Sequence, residues 1–244
     1  MDIRKNYRNL TAAERELFVQ ALYHLKQTGF VDQFAEIHRR RFFENIHGTS
    51  HFLPWHREML LRFERELQAF DTSITIPYWD WTVDRSPSDP LWANSFLGQF
   101  NSAWRLGRAL SGRLPTAQQV QTNQTRARYL QFWSELERPI HNWPHEWVGG
   151  VMVDVASPGD PVFYLHHCCI DMLWAQWQLA HPGVPFEQTR ADDGLNSPLR
   201  EWPDRTPADV LDHHALGYQY DREPPVEPER PLTGCHSEAL LLLS

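Results

Sequence analysis

Residues 51–68, HFLPWHREMLLRFERELQ, decide the fold because they place a proline and two histidines directly before an amphipathic run. Proline has no backbone N–H, which costs nothing in the first turn of a helix, so Pro54 predicts a helix start with His56 in the opening turn. This helix is expected to continue to about Phe70. The whole chain has 13 histidines but only 3 cysteines. A histidine held rigidly in so histidine-rich a chain predicts a metal site built from imidazole.

The composition is that of a single globular domain, with 244 residues, 41% of them hydrophobic and 22% charged. The net charge is −8 and both signs are interspersed, so no basic stripe predicts nucleic acid or an anionic membrane as a partner. The amino terminus lacks the apolar core of a signal peptide, and no apolar run reaches bilayer length. Cysteines at 168, 169 and 235 cannot form a disulfide framework. These features favour a cytoplasmic location, or export only with a partner.

Apolar spacing and helix signals predict helices at 12–26, 32–43, 54–70, 126–137 and 162–179. The first begins with a capping box, in which Thr11 is the N-cap and Glu14 the third helical residue. Residues 74–81 are aromatic and β-like, residues 86–90 are typical of a loop, and residues 82–125 give no sharp signal. We therefore expect a mainly α, single-domain fold with long loops and few short strands. The domain is expected to span residues 1–221, and a Pro/Glu-rich tail residues 222–244.

Histidine spacing is the strongest chemical signal. His141 and His145 are four residues apart, so on a helix both rings project from one face, although Pro144 interrupts that turn. The pair lacks the glutamate of a zinc-protease HExxH motif, which argues against zinc hydrolysis. His167 and Asp171 have the same spacing, by which a carboxylate can orient a ligand imidazole. Upstream, further histidines recur every nine residues at His38, His47 and His56.

Two groups of three histidines, each spread over helices and a loop, fit two metal ions held inside a four-helix bundle. Ligation by imidazole alone favours copper over calcium or magnesium, and suits copper at least as well as zinc. A coupled dicopper centre is therefore the hypothesis. The remaining histidines are expected to be packed or structural (His51, His166, His213, His214) or solvent-facing (His24, His181, His236). Core packing is expected of Trp55, Trp79, Trp81, Trp174, Trp177, Cys168 and Cys169.

At these motifs the sequence resembles the type 3 copper proteins, the group of tyrosinases, catechol oxidases and haemocyanins. The resemblance covers residues 1–221. It rests on HGTSHFLPWHREMLLRFE (47–64), ITIPYWDWT (74–82), HNWPHEWVGG (141–150), DPVFYLHHCCIDMLWAQWQ (160–178) and LGYQYD (216–221). It implies two copper ions, with CuA held by His38, His47 and His56, and CuB held by His141, His145 and His167. In the family the ligand is the second histidine of the HH pair.

The resemblance also implies the reaction, in which a copper-dependent phenol oxidase o-hydroxylates monophenols and oxidises o-diphenols to o-quinones with O2 as co-substrate, the chemistry of melanin formation. In tyrosinases a water held by a glutamate and an asparagine is thought to deprotonate the monophenol. Asn142 matches the asparagine and Glu137 the glutamate. The alternative is that Glu137 pairs with an arginine and Asn142 only caps a helix.

Other members of the group remain as alternatives. Catechol oxidases and o-aminophenol oxidases share every copper ligand, and a haemocyanin-like oxygen carrier has the same centre but is expected to need a further β domain. Asn45 stands where fungal, plant and molluscan members have a cysteine joined to the second CuA histidine, so the resemblance is to bacterial tyrosinases, which lack that thioether. Bacterial members without a signal or a covering domain are often paired with a small caddie protein. Such a copper-delivery partner is therefore expected beside the small phenolic substrate.

Overall fold

The computed structural model describes residues 1–223. Four long helices dominate it, and four short ones lie between the third and the last. They are α1 (Ala12–Gln27), α2 (Phe30–Arg41), α3 (Phe52–Phe70), α4 (Gln99–Ala103), α5 (Ala117–Gln124), α6 (Tyr129–Glu135), α7 (Asn142–Val148) and α8 (Val162–Ala180). Helix α1 packs against α2 and α3, and α3 packs against α8. The predicted mainly α, single-domain fold is confirmed. The proposed tail, apart from Arg222 and Glu223, lies outside the described residues, so its boundary stays a prediction.

Local signals explain where the first helices begin. In α1 the Thr11 hydroxyl accepts the Glu14 N–H at 3.2 Å, and the Glu14 carboxylate accepts the Thr11 N–H at 2.7 Å, which is the predicted capping box. Helix α2 begins and ends two residues earlier than predicted, because Gly29 before it takes φ +85°, a conformation that favours glycine. Helix α3 begins at Phe52 rather than Pro54. Pro54 still lies in the first turn, where its missing N–H costs nothing.

The β-like prediction for residues 74–81 is wrong. Only an isolated bridge between Asn6 and Tyr78 forms there, and the named strands of the described residues are β1 (Asp2–Arg4) and β2 (Tyr218–Tyr220), paired in parallel. The backbone of this segment has other partners. The Ile76 N–H donates to the Glu64 carboxylate at 2.8 Å, and the Trp79 N–H donates to the Leu165 carbonyl at 3.1 Å. Residues 74–81 therefore cross the core as extended chain without joining a sheet.

The predicted helix 126–137 is shorter and broken. Helix α6 ends at Glu135, and the irregular helical turns that follow contain a residue with non-helical angles, Arg138 (φ −131°, ψ 109°). The cause is Pro139, because a proline ring disfavours the helical conformation of the residue before it. Helical angles return after this break, at His141 and Asn142, and Pro144 lies in the first turn of α7.

The core contains many buried tryptophan side chains. The side chains expected to pack there are buried, namely Trp55, Trp79, Trp81, Trp174, Trp177, Cys168 and Cys169. A buried network of an ion pair and hydrogen bonds joins both strands to the last helix, because Arg4 of β1 and Tyr218 and Tyr220 of β2 all contact Asp171 on α8.

Among residues 1–223 no helix is both long and apolar enough to cross a bilayer.

Candidate metal centre

The first histidine triad is formed by α2, the loop after it and α3. Ring nitrogens of His38, His47 and His56 all lie within 4.8 Å of one another. The Nδ1 of His38 donates to the Val155 carbonyl at 2.7 Å, and the Nδ1 of His56 donates to the Phe52 carbonyl at 2.7 Å. These bonds fix each ring and leave both Nε2 atoms buried without a hydrogen-bond partner in the described residues. Each unpartnered Nε2 can offer its lone pair to a metal ion.

The second triad joins the start of α7 to α8. The Nε2 of His167 lies 3.3 Å from the Nε2 of His141 and 3.3 Å from the Nε2 of His145. The Nδ1 of His141 donates to the Asn142 side-chain oxygen at 2.9 Å, and the Nδ1 of His145 donates to the Met152 carbonyl at 2.7 Å. Three Nε2 atoms therefore converge, as three ligands of one ion would.

His166 belongs to the same cluster of rings but is bound on both sides. Its Nδ1 accepts the Trp81 indole N–H at 3.1 Å, and its Nε2 donates to the His141 carbonyl at 3.1 Å. Neither nitrogen is left for a metal. His166 is thus the packed, hydrogen-bonded neighbour that we expected, and it supports the position of His141.

The two triads form one centre. The rings of His56 and His167 stack with centroids 4.4 Å apart, and those of His47 and His141 are 6.1 Å apart. Phe163 stacks on the His167 ring at 4.0 Å. Two metal ions held by these triads would therefore lie close to each other, with aromatic side chains packed against their ligands.

Burial sets the charge of the ligands. It lowers the pKa of all six imidazoles, and like-charge neighbours add to the effect in most of them. The pKa falls to about 4 for His38 and for His145. The rings are therefore neutral at neutral pH, the form in which imidazole binds a metal. A buried donor set of neutral imidazoles, with no carboxylate or thiolate, fits copper.

The predicted role of Asp171 is wrong. Its carboxylate accepts from Arg57 Nε at 2.6 Å and from the hydroxyls of Tyr218 at 2.6 Å and Tyr220 at 2.5 Å, and it makes no hydrogen bond to His167. The Nδ1 of His167 is buried without a partner in the described residues. Main-chain carbonyls orient three of the other rings, those of His38, His56 and His145. Sequence analysis missed them, because every residue has a carbonyl and only the folded loops bring Val155 and Met152 to the histidines.

A cavity of about 380 Å³ opens beside the triads. Its inner wall includes His38, His47, His141 and His145, together with Phe42, Met152 and both predicted proton-transfer residues, Glu137 and Asn142. Exposed charged side chains, Arg138, Glu146 and Asp154, line its outer part. A volume of this order accommodates a single small aromatic molecule.

Glu137 lines the cavity and is 2% exposed. Its two carboxylate oxygens accept the backbone N–H of Gly48 at 2.8 and 3.0 Å. Burial raises the pKa of Glu137, although the Gly48 N–H and the charge of Arg138 oppose the rise. No salt bridge to Glu137 forms within residues 1–223, and Asn142 binds the His141 ring rather than capping α7. The structure therefore shows neither an arginine ion pair for Glu137 nor a helix cap at Asn142, the two alternative roles considered for these residues.

Comparison with known proteins agrees with this geometry. The sequence matches the family described as the common central domain of tyrosinase over residues 28–103 and 99–180. It is 37% identical to the tyrosinase of Streptomyces antibioticus over 267 aligned positions, covering 87% of this chain and 97% of that protein. It is 35% identical to the tyrosinase of Streptomyces glaucescens, covering 91% and 100%.

The fold is similar to that of a functional unit of octopus haemocyanin. The TM-score is 0.65 at 25% identity, with 91% of this chain and 68% of that one covered. The family match spans the elements that carry both histidine triads, from α2 to α8. The chain therefore belongs to the tyrosinase family of type 3 dicopper proteins.

Proposed function

We propose that this protein is a tyrosinase, a copper-dependent oxidase that o-hydroxylates monophenols and oxidises o-diphenols to o-quinones with O2. The observation that carries the proposal is the pair of largely buried histidine triads beside a cavity of about 380 Å³. The Streptomyces relatives named tyrosinase support the same activity, because this chain covers nearly their whole length.

The ligand assignment follows the geometry. His38, His47 and His56 would hold CuA, and the CuB ligands would be His141, His145 and His167. With both ions bound, copper supplies the binding and reduction of O2 and the oxidation of the phenol. The protein holds the rings neutral, and bonds to Nδ1 fix four of them, so that these four do not have to lose a proton or reorient when copper enters; they are His38, His56, His141 and His145.

Glu137 and Asn142 are proposed to hold a water that accepts the proton of the phenol hydroxyl. A phenol must lose this proton before its oxygen can bind a metal well, and an o-diphenol depends on the step less. A buried carboxylate with a raised pKa is a stronger base than an exposed one, which suits it to accept a proton through a water. The side-chain oxygen of Asn142 is occupied by His141, so its amide N–H₂ is the group available to such a water.

The alternative functions share the copper ligands and differ in their handling of the phenol. A catechol oxidase or o-aminophenol oxidase would lack strong monophenol hydroxylation, and an oxygen carrier would exclude the phenol. Neither is favoured, because the cavity reaches exposed residues on its outer side and the Streptomyces tyrosinases are 35–37% identical over nearly their whole length, against 32% for the grixazone synthase of Streptomyces griseus.

The discriminating experiment compares substrates on one preparation of copper-loaded protein. Rates with tyrosine, L-DOPA, catechol and o-aminophenol are measured by O2 uptake and product analysis. A tyrosinase converts both tyrosine and L-DOPA. Oxidation of catechol or o-aminophenol without turnover of tyrosine would contradict the proposal.

Copper delivery and location are separate proposals. We propose that a small caddie-type protein supplies copper, and that the chain stays in the cytoplasm or leaves it only with that partner. The motivation is the resemblance to bacterial tyrosinases together with the depth of the ligands, since His38 and His56 are 1% and 3% exposed. Expression alone in ample copper should give poorly metallated protein. Full loading without help, or secretion of the chain by itself, would contradict these proposals.

A further inference from the structure

A third cluster of ligand side chains lies away from the dicopper centre, around β2. His213 and His214 precede this strand, and Glu223 follows it. The Nε2 of His213 is 3.1 and 3.0 Å from the two carboxylate oxygens of Glu223, and the Nε2 of His214 is 2.8 Å from one of them. The two rings are 4.1 Å apart. Two imidazoles and a carboxylate thus meet at one point.

The spacing suits ligands of a single ion. All three donor atoms lie within 4.8 Å of one another. Zinc–nitrogen and zinc–oxygen bonds are about 2.0–2.1 Å long, so tetrahedral ligands stand roughly 3.3 Å apart. The N–O distances in the structure are 2.8–3.1 Å, and an outward movement of a few tenths of an ångström would admit the ion. Two histidines with one carboxylate, leaving a position for water, is a ligand set that zinc and copper accept.

The cluster is supported and reachable. The Tyr220 N–H donates to the Glu223 carboxylate at 3.2 Å, and the His214 N–H donates to the Asp212 side chain at 2.9 Å. The side chains of His213 and Glu223 are 4% and 2% exposed, whereas that of His214 is 27% exposed and gives an ion a route from solvent. Burial would raise the pKa of Glu223, but the bonds with His213 and His214 outweigh it and lower the pKa, so the carboxylate is ionised.

We propose that His213, His214 and Glu223 form a third metal site, which takes one Zn²⁺ or Cu²⁺ ion and stabilises the end of the domain. In the metal-bound state each ring would coordinate through Nε2 and carry its proton on Nδ1. Because the ligands flank β2, the ion would cross-link the strand that carries Tyr218 and Tyr220 onto Asp171. The site is structural and uses none of the dicopper ligands.

The test starts from protein already loaded with two copper ions. One equivalent of Zn²⁺ is added, free metal is removed by desalting, and zinc and copper are counted by mass spectrometry. We expect one zinc per chain, unchanged copper and a higher Tm. The zinc count does not depend on enzymatic activity, so failure of this proposal is distinct from failure of the phenol oxidase proposal.

Variants locate the ion. His214→Ala and the more conservative His214→Gln should each bind zinc at least tenfold more weakly and lose the zinc-dependent rise in Tm, while keeping two coppers and L-DOPA oxidation. His24→Ala, at an exposed position on α1, is the matched control and should keep zinc. His236→Ala tests the histidine beyond residue 223 and should also keep it. The proposal is overturned if the wild-type protein retains no zinc, because the cluster would then be only hydrogen-bonded. It is also overturned if the His214 variants retain zinc, or if His236→Ala loses zinc.

Discussion

Both carboxylate oxygens of Glu137 accept the backbone N–H of Gly48, the residue directly after the CuA-side histidine His47. This contact ties the proposed base to the loop that carries a copper ligand, across 89 residues of sequence. Gly48 has φ +64°, a conformation that favours glycine. A glycine at this turn can therefore donate its backbone N–H to Glu137 without backbone strain. The base and the ligand loop therefore hold each other in position.

Glu137→Gln should depress monophenol hydroxylation far more than diphenol oxidation. Glutamine still accepts the Gly48 N–H through its carbonyl oxygen, but it cannot take up a proton. Loss of one proton-transfer group costs on the order of a hundredfold or more in rate. The measurement is kcat for tyrosine and for L-DOPA at equal copper content. The matched control is Glu135→Gln, two residues earlier, where the carboxylate forms a half-exposed ion pair with Arg126; it should change neither rate. Equal loss of both activities in Glu137→Gln would mean that the residue is structural.

Asn142→Ala should also weaken copper binding, because Asn142 holds the His141 ring as well as facing the cavity. Removal of a group that orients a ligand imidazole typically costs 10–100-fold in metal affinity or activity. Asn142→Asp restores the acceptor and should recover copper affinity. Competition with a copper chelator measures the affinity of each variant. If Asn142→Ala binds copper as tightly as the wild type does, Asn142 does not orient the His141 ring for the metal.

The metal-free protein should lose stability in acid. The pKa values of His38 and His145 are about 4 in the fold against a usual 6.5, so the unfolded chain takes up protons first as the pH falls below 6.5. Stability is therefore full above pH 6.5 and declines towards pH 4, by about 1 kcal/mol for each of the two at pH 5.5. Urea unfolding at pH 7.5 and 5.5 measures the change. A free energy of unfolding that is equal at both pH values would show that these rings are not buried in neutral form.

Charged residues at the outer part of the cavity should tune the choice of phenol. Glu146 and Asp154 are acidic and Arg138 is basic, and all three are exposed. Glu146→Gln should raise KM for tyramine, which carries a cationic amine, and Arg138→Gln should raise KM for 4-hydroxyphenylacetate, each by a few-fold. Because the groups are exposed, 0.5 M salt should shrink both effects. Catechol, which carries no charged group, is the control substrate. The same change in KM for all three substrates would indicate a structural disturbance.

Local signals in the sequence were enough for much of the fold. The ends of α1 and α8 lie within a residue of prediction, because the Thr11 cap and the apolar spacing of α8 act within one or two turns. The break at Arg138 follows from Pro139, its immediate neighbour, but the prediction of a single helix over 126–137 overlooked it.

Long-range partners decided the features that the sequence analysis missed. The backbone of residues 74–81 bonds to Glu64 and Leu165 rather than to a strand, and no local pattern reveals that. Asp171 has the spacing of a histidine partner, yet Arg4, Arg57 and two tyrosines from distant segments bind it. The histidine triads could be grouped from motifs alone, whereas the carbonyls that orient them appear only in the fold.

The central claim is that two copper ions, one on each histidine triad, support monophenol hydroxylation. The most direct measurement is a titration of metal-free protein with copper, followed by tyrosine hydroxylation at each step, in the His214→Gln background so that the proposed third site does not add to the count. The account predicts that activity rises until two equivalents are bound and then stays constant, and that His56→Ala and His167→Ala stay inactive throughout. Activity that is complete at one equivalent, or no hydroxylation at two, would contradict it.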